Sequence, residues 1–213
     1  MRVTKTNNLK KNYWEDTFTE ESAAEYMLTY GEGPGSPLRH KIASYLKKED
    51  RVLDVGCGPG WNFDHFLEHG PAVYYRGIDA SRKFIKVASE RVYPMQIFKV
   101  GDVREMPEED SSFDVVILQD VLEHTNGYEI PLEEALRVAR KQVIVTFWHL
   151  SETDDPHIND DGADTWGAWY DKRQWEKHLD SQKLDWSHEE IPRKGAKHDI
   201  YVIEVKRGRR EYV

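Results

Sequence analysis

The chain has 213 residues, and 30 Lys and Arg against 39 Asp and Glu give it a formal net charge of −9. That length suits one domain, and 38% hydrophobic residues with seven Trp supply a core despite a mean hydropathy of −0.77, so disorder over the whole chain is excluded. The acidic balance argues against a DNA-binding protein. No run of roughly 18 apolar residues offers a membrane span, and the N-terminus lacks the apolar stretch of a secretory signal. A cytoplasmic protein is therefore expected. The single cysteine, Cys57, can form neither an internal disulfide nor a thiolate metal cluster.

In chain order, the first fifty residues read as two amphipathic helices, over 20–28 and 37–47. They are joined by GEGPGSP at 31–37, a loop that could fold over a ligand or serve as an ordinary linker. From residue 51 the pattern changes to short apolar runs rich in Val, Ile, Tyr and Phe, as buried parallel strands require. Five such strands are expected, over 51–55, 73–78, 96–100, 113–118 and 142–148. Helices are expected between them over 61–69, 81–91 with Ser81 as N-cap, and 131–140 with Pro131 near its start, plus a short turn at 121–124. That rhythm predicts an α/β fold with a doubly wound, mainly parallel sheet. A polar and aromatic stretch follows residue 150, then a helix near 172–179 and a strand pair over 186–191 and 200–205. The turn-forming PRKGAKHD between these strands implies a C-terminal antiparallel hairpin. The organisation is thus one domain: a helical N-terminal cover over 1–50, a core over 51–150, an insertion with the hairpin over 151–206, and a basic tail over 207–213.

The segment VLDVGCGPGW places Gly56, Gly58 and Gly60 after an apolar strand and before a helix, where glycines let backbone approach a ligand and the helix start offers N–H groups. A dinucleotide fingerprint would want its third glycine one position beyond Gly60, and Trp61 occupies that place, which argues against NAD. Asp79 ends the second strand in GIDAS, at a spacing suited to a ribose diol, and Asp102 ends the third in VGDV. Asp54, Asp79, Asp102 and Gln119 stand at or near four strand ends and should converge on the crevice where open α/β sheets bind ligands.

These residues carry a resemblance. VLDVGCGPG, GIDAS, VGDVREMP and FDVVILQDVLEHT, within 51–150, resemble the class I S-adenosylmethionine-dependent methyltransferases of the small-molecule kind called type 11. The resemblance implies a Rossmann-like fold that binds S-adenosylmethionine and releases S-adenosylhomocysteine. It implies that Asp54 and the backbone at Gly56 hold the methionine amino group, with Gly58 and Gly60 completing the loop. It also implies that Asp79 with Ala80 binds the ribose, that Asp102 and the Val103 backbone recognise adenine, and that Gln119 lines the cleft near the methionine. A sulfonium with a free amino group suits an acidic, glycine-lined pocket.

Methyl transfer is an in-line displacement, dominated by positioning, and an oxygen acceptor also needs a base. The candidates are His124 in VLEHT and His149 in FWHL, with His157 in the following loop. His124 reads equally as part of a short helix face on which Asp120, Glu123 and His124 hydrogen-bond among themselves. The loop at 151–164 reads as a solvated acidic segment rather than a metal site, since its spacing matches no ligand motif. Trp148, His149, Trp166, Trp169 and Tyr170 are the expected acceptor contacts, because aromatic faces stack flat molecules. Tyr13, Trp14 and Tyr30 could close the cleft from the other side. The segment LQDVLEH lacks the Asn or Asp, Pro, Pro, aromatic signature of nucleic-acid amino-methyltransferases. The expectation is a methyltransferase acting on a hydroxyl of a sugar or aromatic metabolite. The alternatives are a protein or RNA acceptor, or a protein that binds S-adenosylmethionine without catalysis.

Overall fold

The computed structural model describes residues 18–29, 36–152, 158–159, 167–193 and 196–206. Tyr13, Trp14, Tyr30, most of the Gly and Pro-rich loop, His157, Trp166 and the basic tail lie outside the described residues.

Two helices, α1 (Glu20–Thr29) and α2 (Pro37–Tyr45), precede the sheet. Then come β1 (Arg51–Val55), α3 (Trp61–His69), β2 (Tyr74–Asp79), α4 (Arg82–Val92), β3 (Phe98–Val100) and β4 (Phe113–Gln119). A 3-10 turn at Leu122–His124 leads to α5 (Glu129–Val138) and β5 (Ala139–Phe147). Four two-residue strands follow: β6 (Leu150–Ser151), β7 (Ile158–Asn159), β8 (Gly167–Ala168) and β9 (Tyr170–Asp171). The chain then forms α6 (Lys172–Ser181), β10 (Asp185–Arg193) and β11 (Ala196–Glu204). The sheet order is β10-β11-β5-β4-β1-β2-β3. β1 to β5 are mutually parallel, whereas β11 runs antiparallel to β5 and to β10. The doubly wound sheet and the terminal hairpin are therefore both present. The small pairings of β6 with β9 and β7 with β8 are additions that no local pattern announces.

Strand alternation divides the core in two. Leu53, Val55, Val116, Leu118, Val143, Val145, Phe147, Tyr201 and Ile203 pack beneath α5 and α6, where Trp175 and Leu179 are fully buried. Val52, Val115, Ile117, Ile144, Ile200 and Val202 pack beneath α2 and α3, against Leu38, Ile42 and Phe66. Each side removes a continuous apolar surface from water, the main force holding the layers together.

Element boundaries differ from expectation most at β11, which starts at Ala196 rather than 200 because the expected turn residues are paired in the hairpin, and at β5, which starts at Ala139 rather than 142. Ala139 pairs with Phe113 in the parallel ladder. Two cations, Arg140 and Lys141, hide the strand in the sequence, and both are satisfied there by the buried Asp114, Lys141 also by Asp50. Ser81 caps α4 as expected, its hydroxyl accepting the Phe84 N–H at 3.3 Å. α1 is held to α4 through Phe18, Tyr26 and Phe84, whose rings lie 5.2–5.6 Å apart. The helical cover thus rests beside the end of β2.

Candidate functional site

After β1 the chain turns over three glycines, all at positive φ. A Cβ on Gly56 would fall 2.4 Å from Val121 Cγ2, so packing demands glycine there. A Cβ on Gly58 would meet nothing within 4 Å. Gly58, at φ 52°, therefore presents bare backbone to open space. Gly60 is the αL residue before α3. The Trp61 ring lies 5.5 Å from that of Tyr26 and beneath the Arg39 guanidinium, also at 5.5 Å. The indole therefore packs on the helical cover, away from the strand.

Asp79 fastens to this turn. Its Oδ2 accepts the Gly58 N–H at 2.9 Å and its Oδ1 accepts the Ser81 N–H at 2.8 Å. Ala80 is exposed at the tip of the resulting bend. A carboxylate offers about four lone-pair directions, so one held in this way can accept a diol as well. Asp54 lies deeper, 1% exposed, with Oδ2 accepting the Tyr75 hydroxyl at 2.5 Å and Oδ1 accepting Asn62 Nδ2 at 3.2 Å. Burial pushes its pKa up to about 6. The two hydrogen bonds and Arg39 oppose that rise, and the Asp79 charge adds to it. Burial likewise pushes the Cys57 thiol up, with Asp79 and Asp54 adding to the effect, so this cysteine is a packing residue. These mutual influences place Asp54, Cys57 and Asp79 in one electrostatic neighbourhood.

Asp102 follows β3 and is half-exposed. Arg104 binds both its oxygens, Nε on Oδ1 at 2.9 Å and Nη2 on Oδ2 at 2.6 Å, and holds the carboxyl below its ordinary range. An adenine amine there would have to share the carboxylate with Arg104. Val103 is partly buried against the core on the α5 side. Gln119 closes β4, and its Oε1 is buried with no hydrogen-bond partner among the described residues. An orphaned acceptor at a strand end costs stability unless a ligand donor meets it.

Beyond β4, Asp120, Glu123 and His124 do not hydrogen-bond among themselves. Asp120 turns to β5, where its Oδ1 accepts the Thr146 hydroxyl at 2.6 Å. Glu123 is fully buried, and its Oε1 accepts the Trp148 N–H at 2.8 Å. Burial and then the Asp120 charge push the Glu123 carboxyl well up. The reason is register: β5 lies beside β4, so its polar groups are nearer than those one helical turn away. His124, partly buried, ends the 3-10 turn.

Among the expected acceptor contacts, His149 is exposed beyond β5, its ring edge-on to Trp169 with centroids 4.9 Å apart. A cavity of about 370 Å³ is lined by His149, Leu150, Ser151, Glu152, Lys197 and Asp199. Trp148 is partly buried. Tyr170 is a strut as well as an aromatic wall: its hydroxyl donates to the carbonyls of Thr125 at 2.8 Å and Leu122 at 3.1 Å.

Several polar residues were not singled out from the sequence. His198, 5% exposed, places Nε2 3.5 Å from Asp120 Oδ2. On the other face of β11, Asp199 pairs with His188 at 2.7 Å. His188, Glu190 and Asp199 have ligand-type atoms within 4.8 Å of one another. The Lys172 ammonium, 3.1–3.4 Å from all three, already supplies positive charge there. His198 and Asp199 stand at the polar start of an otherwise apolar run in β11, whereas His188 and Glu190 lie in a mostly polar strand that gives no such signal.

Residues 53–147 match the methyltransferase domain family. That stretch, a little under half of the chain, is similar to methyltransferase domains of the S-adenosylmethionine-dependent class. Over 132 residues it is 31% identical to an uncharacterised methyltransferase of Schizosaccharomyces pombe, covering 57% of this chain and 42% of that protein. Over 110 residues it is 33% identical to demethylmenaquinone methyltransferase of Staphylococcus aureus, covering 50% of this chain and 46% of that protein. The match spans less than half the length of either relative. The fold is shared with magnesium protoporphyrin IX methyltransferase of Synechocystis, solved with bound S-adenosylhomocysteine, at a TM-score of 0.65 and 16% identity over 90% of this chain and 98% of that one. On adjacent strand ends, the open face of Gly58, the pinned Asp79 carboxylate and the orphaned Gln119 oxygen offer bare backbone and hydrogen-bond acceptors, a set whose chemistry fits a ligand with a diol and an amino group.

Proposed function

We propose that the domain transfers the methyl group of S-adenosylmethionine to a hydroxyl of a small molecule, a sugar or an aromatic metabolite. The observation that carries the cofactor half is the clamp of Asp79 on Gly58 and Ser81, set beside backbone that faces open space. In this reading Asp79 and Ala80 meet the ribose, Asp102 and the Val103 backbone the adenine, and Asp54 with the Gly56 backbone the methionine amino group, with Gln119 lining the cleft beside it. Asp54 supports the turn of Gly56, Gly58 and Gly60 through Tyr75 and Asn62. The bound cofactor supplies an electrophilic methyl on a sulfonium, and the protein's part is to orient the acceptor in line with it and keep water out.

The acceptor half rests on the cavity at His149. Its volume is in the range of small-molecule sites, and Lys197 and Asp199 line it from the face of β11 opposite His198. His149 with the Trp169 ring offers an aromatic edge to a flat acceptor, and Trp148 and Tyr170 form the wall behind. Calorimetric titration with S-adenosylmethionine, S-adenosylhomocysteine and NAD tests the cofactor. Binding of the first two and not of NAD is expected, and binding of NAD alone would overturn the reading. With cofactor binding in hand, release of S-adenosylhomocysteine in the presence of hydroxylated metabolites separates an enzyme from a protein that only binds the cofactor.

A further inference from the structure

Four adjacent strands carry one polar residue each at the same edge and on the same face of the sheet. Val52, Val115, Ile117, Ile144, Ile200 and Val202 point toward α2 and α3. Two-residue alternation puts Asp54 of β1, Gln119 of β4, Thr146 of β5 and His198 of β11 on that face toward the glycine-turn edge, in a staggered row: Gln119 and Thr146 are direct partners, Asp54 lies one step further in, opposite Ile117, and His198 one step further out. Asp120 is the next residue after β4, and at φ +54° it folds back into this row. Its backbone N–H donates to Thr146 Oγ1 at 3.1 Å, the Thr146 hydroxyl donates to its Oδ1 at 2.6 Å, and its Oδ2 lies 3.5 Å from His198 Nε2. Thr146 is fully buried and His198 nearly so, whereas the Asp120 side chain is 27% exposed. The row thus contains a braced carboxylate that opens outward, one residue from the orphaned Gln119 oxygen. A non-glycine residue held at positive φ by several partners is the kind of local strain that collects at working sites.

We propose that Asp120 stands at the point of methyl transfer and takes the acceptor's proton, with His198 as the residue that positions it. The proposal rests on the S-adenosylmethionine reading above. The acceptor oxygen forms a bond to the methyl carbon, the carbon–sulfur electron pair stays on sulfur, and the O–H proton passes to the Asp120 carboxylate. One positive and one negative charge are cancelled together, so net charge is conserved. A carboxylate is a weak base toward a free alcohol. An oxygen already bonding to the methyl carbon is far more acidic, and the transfer then runs downhill. The Thr146 hydroxyl holds one Asp120 oxygen and the His198 ring stands 3.5 Å from the other, so the carboxylate needs little reorganisation when the acceptor arrives.

The test needs no acceptor. Sinefungin resembles S-adenosylhomocysteine but carries an amine-bearing carbon in place of the sulfonium, so its ammonium reports a carboxylate at the transfer point. By calorimetry, the wild-type protein is expected to bind sinefungin about tenfold or more tightly than S-adenosylhomocysteine, as an ion pair with a partly buried carboxylate provides. Asp120→Asn should abolish that preference while changing S-adenosylhomocysteine affinity less than about threefold, the affinity also serving as a check on folding. His198→Ala should lower the preference and His198→Gln, which can still donate to Asp120, should restore it; a purely structural role would move both ligands together. Equal binding of the two ligands by the wild type, or a preference that survives Asp120→Asn, overturns the proposal. Failure of the wild type to bind either ligand overturns the cofactor reading itself.

Discussion

The Asp79 carboxylate accepts the backbone N–H of Gly58 at 2.9 Å, tying the end of β2 to the turn that follows β1. Strand end and glycine turn therefore move as one unit, and a ligand that bridges them finds its contacts already arranged. Asp79→Ala removes the expected diol acceptor and leaves the Gly58 and Ser81 N–H groups without it. Affinity for S-adenosylhomocysteine should fall by roughly 1–3 kcal/mol, or about five- to 150-fold. Calorimetry on Asp79→Ala beside Asp79→Asn measures it, the asparagine variant keeping one acceptor oxygen and an intermediate affinity. Unchanged affinity in both would place the ribose elsewhere.

Two glycines of the same turn should respond differently to alanine. At Gly58 a Cβ has open space and only the positive φ to contend with, so Gly58→Ala should cost about 1 kcal/mol of stability. The added methyl would stand in the space assigned to the ligand, so cofactor affinity should drop steeply. At Gly56 the Cβ meets Val121 Cγ2 at 2.4 Å. Overpacking then adds roughly 1–3 kcal/mol to the strain. Val121→Ala should recover part of that loss in the double variant, since contacting residues are not additive. Urea unfolding of the three variants separates the two roles, and equal stability losses at Gly56 and Gly58 would contradict this account.

The sheet was legible because buried parallel strands are nearly uninterrupted apolar runs. β1 and β4 match their expected positions almost to the residue, and the cofactor-facing turn announced itself through Gly56, Gly58 and Gly60. What stayed hidden depends on register. Thr146 reads as an ordinary β-branched strand residue until β4 and β5 are aligned with Gln119 beside it. His198 reads as part of a hairpin turn until Ile200 is paired with Thr146. Asp120 and Glu123 looked like neighbours on one helical face, but the chain after β4 takes positive φ and a 3-10 turn, which sends Asp120 to Thr146 on β5 and Glu123 to Trp148 just beyond it. Nothing local specifies such pairings, because the partners are separated by 25 or more residues of chain.

The Asp54 carboxyl offers a test against pH. Its pKa is raised by burial from about 3.8 to about 6, so the folded protein holds that proton more tightly than the unfolded chain does. The stabilising contribution of the protonated form is complete below about pH 4 and is lost as pH rises through about 6. One residue shifted this far accounts for on the order of 2–3 kcal/mol between those limits. Other carboxylates titrate with the opposite sign, so the informative quantity is the difference between wild type and Asp54→Asn. Urea unfolding at pH 4 and pH 7 should show the variant gaining on the wild type by that amount at the higher pH. A constant difference would mean that Asp54 is not protonated in the folded state.

Tyr170 separates a wall from a contact. Its hydroxyl donates to the Thr125 and Leu122 carbonyls, and its ring lies edge-on to Tyr128 at 5.0 Å and to Phe147 at 6.3 Å. It therefore fastens the segment after β5 to the segment after β4, the two that frame the proposed acceptor side. Tyr170→Phe keeps the ring packing and removes the hydroxyl, leaving two carbonyls without that donor. Stability should fall by about 1–2 kcal/mol, with S-adenosylhomocysteine affinity unchanged because no cofactor-facing group is touched. Tyr170→Ala would add the loss of the aromatic contacts and should cost about 3 kcal/mol or more. If Tyr170→Phe left stability intact, the hydroxyl would not be a strut, and loss of acceptor turnover in that variant would assign it to the acceptor instead.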